Sequence, residues 1–394
     1  MMERKAALSA ITGLGMTEFT RDYHKPSWQL AVDAIGLAIK DAGLEHSDID
    51  GLLLNKSPLA ELADFPMEMQ DYAGLSNLSL LNVVEAEGSS MVQTIQQATM
   101  AIQTGMATKV VCVFADTPLQ GDTSAGEAFA VAMPMMGHLG IEIANGFYTP
   151  IAAYAMAAQR YLAVYDRATD DLGAVAISNR RWAELNDLAK LRKPLTIEQY
   201  REAPFLIEPL RMLDCAYPVN GGIAVVVTGV EQAKESPQPP AYIYGMGQGH
   251  AGNINRRGHQ PEIETGAKQA GEIAYKMAGI NASDIDACQF YDAFSISTLI
   301  NLELYCLCGA GQAGEFVRSG ETSPGGKLPV NTGGGHLSGY YLQGATPVSE
   351  AVIQLRHQAG ARQVSKLDHM LVTGYGGRMQ FHAALIMGQQ ERVQ

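Results

Sequence analysis

The sequence predicts an α/β protein built from two similar halves, on three observations. Apolar strand-like runs alternate with helix-like runs in both parts of the chain. The string Ala42-Gly43-Leu44-Glu45-His46-Ser47-Asp48-Ile49-Asp50 is echoed by Ala278-Gly279-Ile280-Asn281-Ala282-Ser283-Asp284-Ile285-Asp286, each between a helix-like run and an apolar one. Residues 120–210 interrupt this grammar without repeating it. A spacing this long is not that of a solenoid. It fits two units, each with helices packed on a sheet.

Taken in order, residues 7–14 read as a strand closing in a turn at Gly13-Leu14-Gly15. Leu30, Ala31, Ala34, Ile35, Ala38 and Ile39 recur at helical spacing over residues 27–42, and Gly43 ends that helix. Asp50-Gly51-Leu52-Leu53-Leu54 starts the next strand; Ser89 to Thr104 reads as a helix and Lys109 to Ala115 as a strand. Residues 120–210, rich in Met, Ala and Tyr and carrying Lys190-Leu191-Arg192-Lys193, read as a helical subdomain over the sheet ends, where ligands bind in α/β folds. Met133-Pro134-Met135-Met136 within it is either an adaptable pocket wall or core packing. Glu235-Ser236-Pro237-Gln238-Pro239-Pro240 links the halves, giving an N-terminal half 1–235 and a C-terminal half 236–394. The second half opens with a strand at 241–247 and a helix at 265–278, and Ser365 to Thr373 echoes Ala107 to Phe114.

The 394 residues exceed what one hydrophobic core holds, and 47% hydrophobic against 18% charged residues fits a well-buried globular enzyme. A net charge of −13 argues against nucleic acid or an anionic membrane as partner. No apolar run reaches the roughly 18 residues of a membrane helix, and Met1 to Ala10 has no signal-peptide core. Cys112, Cys215, Cys288, Cys306 and Cys308 are scattered, which predicts no disulfide framework and a cytoplasmic protein. Cys306 and Cys308, two apart on an expected helix, face different ways, so no metal is expected. Gly245-x-Gly247-x-Gly249 follows a strand, but the polar run Asn253 to Gln260 is no dinucleotide-binding helix.

Several strings together resemble the thiolase superfamily, closest to its sterol-carrier-protein-X type. In the insertion these are Asn179-Arg180-Arg181, Lys193-Pro194-Leu195-Thr196 and Pro209-Leu210-Arg211-Met212-Leu213-Asp214-Cys215. Gly221-Gly222-Ile223-Ala224-Val225-Val226-Val227 resembles the strand that follows. Near the C-terminus, Asn331-Thr332-Gly333-Gly334-Gly335 leads to Ser338 and Gly344-Ala345-Thr346. The resemblance spans nearly the whole chain. It implies the thiolase fold, a layered α-β-α-β-α sandwich with an inserted loop domain, a homodimer, and a coenzyme A thioester as substrate with no permanently bound cofactor. A loop with His250, Arg256, Arg257 and His259 is either solvated surface or a contact for coenzyme A phosphates.

The chemistry positions depart from the family pattern. The family's nucleophilic cysteine opens a helix in a Cys-Ala-Ser/Thr-Gly stretch; the matching stretch here is Glu85-Ala86-Glu87-Gly88-Ser89, placing Glu85 at the nucleophile position. A carboxylate cannot replace a thiolate in that acyl transfer. Two acids at a helix start also suit its dipole, so Glu85 is either a catalytic or substrate-orienting group or a plain structural one. Tyr341-Leu342-Gln343-Gly344-Ala345 matches His-Pro-Leu-Gly-Ala, Tyr291-Asp292-Ala293-Phe294 matches Asn-Glu-Ala-Phe, and Tyr375-Gly376-Gly377 matches Cys-x-Gly.

This tyrosine pattern is similar to the thiolase-like aldolases of steroid side-chain breakdown. That resemblance implies retro-aldol cleavage of a bulky 3-hydroxyacyl-CoA and a small partner carrying an OB-fold and a zinc ribbon. Tyr291 and Tyr341 are then the acid–base pair, in either order. Asp292 either orients Tyr291 or caps backbone donors, and Gly377 is implied to offer an oxyanion-hole N–H. A tyrosine at its ordinary pKa of about 10 is a poor base, so a cation or donors are needed, for which Arg378 and His336 stand nearby in sequence. The bland alternative is a core aromatic with a satisfied hydroxyl, and it fits Tyr340 and Tyr375 best. Two other functions compete: an acyltransferase whose nucleophile is Cys112 or Cys215, and a non-catalytic subunit that binds an acyl-CoA.

Overall fold

The computed structural model describes residues 6–57, 62, 64–121, 137–147, 149–252, 259–260 and 262–392. Met133 to Met136, Arg256 and Arg257 lie outside the described residues. The first half runs β1 (Ser9–Met16), α1 (Ser27–Asp41), β2 (Gly51–Asn55), α2 (Phe65–Tyr72), β3 (Leu80–Val83), α3 (Ser90–Thr104) and β4 (Lys109–Asp116). The intervening region carries α4 (Gly137–Ala144), α5 (Thr149–Val164), α6 (Asp170–Glu184), α7 (Ile197–Glu202) and the hairpin β5 (Phe205–Ile207)–β6 (Leu210–Arg211). The chain then returns through β7 (Gly221–Thr228) and α8 (Val230–Ala233). The second half runs β8 (Ala241–Gly249), α9 (Ala267–Ala278), β9 (Ala287–Gln289), α10 (Ser295–Leu304), α11 (Ala313–Arg318), α12 (Ala345–Leu355), β10 (Met370–Gly376) and β11 (Phe381–Gly388).

The main strands hydrogen-bond in the order β3-β2-β4-β7-β1-β8-β11-β10-β9. Read outward from the β1–β8 seam, the halves mirror each other. The first strand pairs antiparallel with the last, the last antiparallel with the one before it, and that one parallel with the second strand. In the first half β3 extends the sheet in parallel; in the second, a single parallel bridge from Cys288 to Val330 stands in its place.

Strand alternation sorts the core into layers. In β4, Val110, Cys112 and Phe114 face the central cluster, and Val111, Val113 and Ala115 face the one beneath α1. In β11, Ala383, Leu385 and Met387 face the same central cluster, and Ala384 and Ile386 face the one beneath α9. Residues of α3 and α12 fill the central cluster, so these helices lie between the two half-sheets. Each fully buried Val, Leu or Ile contributes about 1.5–3 kcal/mol of transfer free energy.

The sequence echo is also a structural one. Gly43 (φ +69°) and Gly279 (φ +67°) end α1 and α9 in the left-handed conformation. Asp48 and Asp284 accept the Glu45 and Asn281 amides at 2.9 and 2.8 Å. Asp50 and Asp286 then donate their own amides to Lys109 O and His369 O at 3.2 and 2.9 Å.

Three local expectations are corrected. Gly13-Leu14-Gly15 is no turn but lies inside β1, and Gly245, Gly247 and Gly249 lie inside β8. A Cβ at Gly13 or Gly15 would sit 2.3 or 2.1 Å from the Ala38 or Ala34 carbonyl oxygen of α1. At Gly245 or Gly247 it would meet the Ala274 or Ala270 oxygen of α9 at 2.3 or 2.0 Å. Both Gly-x-Gly strings therefore let a helix lie directly on its strand. Cys306 and Cys308 fall beyond the end of α10, and Cys306 has φ +59°. Among the described residues, no helix is long and apolar enough to cross a membrane.

Candidate active site

Tyr291 follows β9, where its N–H donates to Thr373 O of β10 at 3.2 Å. The Phe290 N–H is held by Asn331 Oδ1 at 2.6 Å, which ties the same loop to the Asn-Thr-Gly-Gly-Gly segment. Tyr341 follows a single π-helical turn, Gly335–Gly339, and its N–H donates to Tyr217 O at 3.0 Å. These anchors bring the two phenols together: Tyr291 Oη and Tyr341 Oη are 2.9 Å apart, with the rings edge-to-face at 6.2 Å. Tyr291 is buried and Tyr341 partly buried. Gly88, in the turn before α3, makes room for the pair, since a Cβ there would lie 2.2 Å from Tyr291 Cε2.

The other tyrosines form walls. The Tyr375 ring packs 4.6 Å from Tyr291, and its hydroxyl donates to Ser297 Oγ. The Tyr154 hydroxyl of α5 donates to Gly377 O at 2.9 Å. Tyr340 lies elsewhere, against Phe19, with its hydroxyl on Ser349.

Asp292 and His336 support the pair from behind. Asp292 Oδ1 accepts the His336 N–H at 2.8 Å, and Oδ2 accepts the Asn179 amide. His336 Nδ1 accepts the Asp292 N–H at 3.1 Å, which leaves Nε2 to carry the proton and donate to Gln343 O at 2.8 Å. The imidazole is thus fixed in orientation with both nitrogens engaged. Its ring lies 4.7 Å from that of Tyr291 and 5.1 Å from that of Tyr341. Of the two alternatives for Asp292, the geometry is that of a cap on a backbone donor. His336 braces the two phenols and has no nitrogen left for a ligand.

The field around the phenols keeps them protonated. Burial pushes Tyr291 well above the usual tyrosine range, and the neighbouring Tyr341, Tyr154 and Tyr375 add to this. Burial also raises Tyr341; the bond from Tyr291 opposes that rise, while Asp116 and Glu87 reinforce it. Arg378 does not favour a phenolate: it ion-pairs with Glu142 and lies 4.5 Å over the Phe147 ring.

Two carboxylates near Tyr341 were not singled out by sequence. Asp116, the last residue of β4, is buried, and burial pushes it up to about 6 against the Ser57 hydroxyl at 2.5 Å and the Thr117 amide at 2.9 Å. Glu87 has a left-handed backbone (φ +48°) and faces the Gly377 amide. It keeps access to solvent, yet the protein around it raises its pKa by desolvation, against the lowering pull of Gly377 and Arg378. Glu85, two residues earlier, is exposed and is not among the charges that act on the tyrosine pair. The Gly377 amide is therefore turned towards Glu87.

The thiols offer no activated nucleophile at this cluster. Cys112 lies in the central core with its pKa pushed up to about 12 by burial, and burial likewise raises Cys215. Among the described residues, no three His, Cys, Asp or Glu side chains are grouped to hold a metal ion.

Residues 247–389 match the family described as thiolase C-terminal domain-like. The chain is 34% identical over 388 residues to the steroid side-chain-cleaving aldolase of Thermomonospora curvata, covering 94% of this chain and 95% of that protein. It is 32% identical over 380 residues to the 17-hydroxy-3-oxo-4-pregnene-20-carboxyl-CoA lyase of Mycobacterium tuberculosis, covering 94% and 96% of the two chains. A solved Ltp2-ChsH2(DUF35) aldolase superposes with a TM-score of 0.86 at 32% identity over 98% of each chain.

Proposed function

Because the chain belongs to the thiolase superfamily, in the family of the steroid side-chain-cleaving aldolases, we propose that its tyrosine pair is where a carbon–carbon bond is broken. The protein is a carbon–carbon lyase that cleaves a 3-hydroxyacyl-CoA by retro-aldol chemistry, giving a ketone or aldehyde and a shorter acyl-CoA. A bulky acyl group of the steroid side-chain kind is the substrate we favour, from the two lyases it resembles.

The reaction removes the hydroxyl proton and turns the β-carbon into a carbonyl. The electrons of the Cα–Cβ bond pass into the thioester as an enolate, and a proton then joins Cα. No proton is gained or lost overall. The 2.9 Å bond between Tyr291 and Tyr341 carries the reading. One phenol proton is shared within the pair, and the other remains to bond a substrate oxygen. A neutral phenol accepts the substrate hydroxyl proton only by giving up its own, so the linked pair serves as a relay, in either order. Asp292 and His336 hold that relay in place, and the Gly377 N–H, which faces Glu87, is the donor that the family resemblance gives to the thioester oxygen, in exchange for that contact. Glu85 takes no part in this scheme.

The protein works, in this reading, in the cytoplasm as a homodimer with a small OB-fold/zinc-ribbon partner. The similar solved aldolase names a second component, ChsH2(DUF35), and exposed Phe205, Leu206 and Met212 at the β5–β6 hairpin offer apolar surface for a partner. Dimerisation rests on the family resemblance.

The test gives the purified protein, with and without a co-expressed small partner, a steroid-type 3-hydroxyacyl-CoA, and seeks the short acyl-CoA and its ketone by mass spectrometry. Cleavage that is lost in Tyr291→Phe or Tyr341→Phe is the expected result. Tight binding of the thioester without cleavage in either preparation would sink the aldolase assignment.

A further inference from the structure

We infer that Glu87 is a further catalytic group of this lyase, storing the substrate hydroxyl proton delivered through the tyrosine pair and returning it to the enolate carbon. This rests on the retro-aldol reading above.

Two neutral phenols have no place for a third proton. A relay through them needs an acceptor at its far end, and an acid must then protonate Cα. The Glu87 carboxylate faces the Gly377 amide at the edge of the tyrosine cluster, and its charge is felt at Tyr341. Its neighbour Gly88 lies directly under the Tyr291 ring. The would-be Cβ of Gly377 lies 3.4 Å from Glu87 Oε1, and that of Gly376 lies 3.0 Å from Glu87 Cβ, so the carboxylate lies at the turn that closes the cluster. The left-handed φ of +48° turns residue 87 out of line with the helix that follows and towards that turn. A non-glycine residue in this conformation carries a strain that its surroundings must hold.

The titratable or charged groups whose fields meet Glu87 are Arg378, Tyr154 and Tyr341, and Arg378 is itself paired with Glu142. Desolvation by the surrounding protein raises the Glu87 pKa while the Gly377 amide and Arg378 restrain it, so neither of its two protonation states is strongly favoured by a single partner. In the cycle, Glu87 starts as the carboxylate. The O–H proton passes through the phenols to Glu87 as the Cα–Cβ bond breaks and the ketone forms. Protonated Glu87 then forms the Cα–H bond of the shorter acyl-CoA and returns to the carboxylate. Because Glu87 is open to solvent, its stored proton exchanges with water.

The experiment reads deuterium uptake at Cα of the short acyl-CoA in D2O, with no ketone present, beside the cleavage rate. Wild type should exchange. Tyr341→Phe should lose cleavage and keep exchange, because only the carboxylate touches Cα. Glu87→Gln, whose amide oxygen still accepts the Gly377 N–H, should lose both by about 100-fold or more. Glu87→Asp, an acid set back by one methylene, should retain part of each. The acidic limb of the cleavage pH profile should also vanish in Glu87→Gln. Exchange by Glu87→Gln at the wild-type rate overturns the assignment, as does wild-type cleavage without exchange. If wild type neither cleaves nor exchanges, the retro-aldol reading itself fails and this proposal with it.

Discussion

Asp292 and His336 hold each other by two reciprocal hydrogen bonds, the Asp292 N–H to Nδ1 at 3.1 Å and the His336 N–H to Oδ1 at 2.8 Å. Both residues are fully buried, so neither bond competes with water. Asp292→Ala leaves the His336 N–H and the Asn179 amide without their acceptor, at about 1–3 kcal/mol for each orphaned donor. Denaturant unfolding should show that loss. Steady-state kinetics should show a lower kcat with little change in KM, since the side chain caps the His336 turn whose ring packs against the phenols. A normal kcat in a destabilised variant would contradict the bracing role.

Gly88→Ala tests whether the phenol pair is as close as it must be. The added methyl would lie 2.2 and 2.3 Å from Tyr291 Cε2 and Cζ, and 2.4 Å from Tyr375 O. Backbone and a packed ring must both move, an overpacking cost of about 1–3 kcal/mol. The expected outcome is a displaced Tyr291 ring in a crystal structure and a loss of cleavage comparable to that of Tyr291→Phe. Full activity would mean that the 2.9 Å contact is not needed.

Asp116 should leave a signature in stability against pH. Its carboxyl is raised from the ordinary 3.8 to about 6 in the folded chain. Below both values it is protonated in either state and costs nothing. Between them the unfolded chain releases the proton and the folded chain keeps it, so stability falls as pH rises from about 4 to 6 and stays lower beyond. The difference is on the order of 3 kcal/mol at 1.36 kcal/mol per pH unit. Asp116→Asn retains an oxygen for Ser57 and Thr117 and should remove this slope, melting higher than wild type at pH 8. Parallel melting curves for the two proteins from pH 4 to 8 would refute the shift.

The loop before the π-helical turn is tied to a buried ion pair. Glu350 of α12 accepts Arg362 Nε and Nη2 at 3.1 Å each and the Thr332 hydroxyl at 2.7 Å. Arg362→Leu leaves the carboxylate buried and unpaired, which costs about 3–5 kcal/mol. Removing both charges with Glu350→Gln and Arg362→Leu should recover much of that. A thermal melt of both single variants and the double variant decides; a double-variant loss equal to the sum of the two single losses would mean that the pair is not coupled.

Thiol reagents should spare the enzyme. Cys112 and Cys288 are buried and Cys306 is exposed, so alkylation under native conditions should map to Cys306 by mass spectrometry and leave cleavage unchanged. Inactivation that tracks modification of Cys112 or Cys215 would revive the acyltransferase.

How far the sequence reached can be judged residue by residue. Tyr291 and Tyr341 were legible because each sits in a short string whose neighbours survive around the altered residue. Glu85 and Glu87 share one string, and linear spacing does not say which carboxylate reaches the Gly377 amide. The left-handed backbone at Glu87, imposed by the fit of the turn against Gly376 and Tyr291, makes that choice. Asp116 gave no signal, since an acid at the end of an apolar strand reads equally as a surface cap. Arg378 was a candidate to charge a tyrosine, but Glu142 from the inserted helices claims it.

The sequence by itself determined the α/β class, the doubled pattern and the absence of a cysteine at the family's nucleophile position, because strand alternation, helical spacing and motif strings are local properties of the chain. The tertiary structure alone decided that Tyr291 and Tyr341 share a hydrogen bond, that Asp292 and His336 hold each other in one orientation, and that Glu87 faces Gly377. Those relations join residues from 44 to 290 positions apart. Their geometry is set by how the half-sheets and the turns between them pack, which no local spacing encodes.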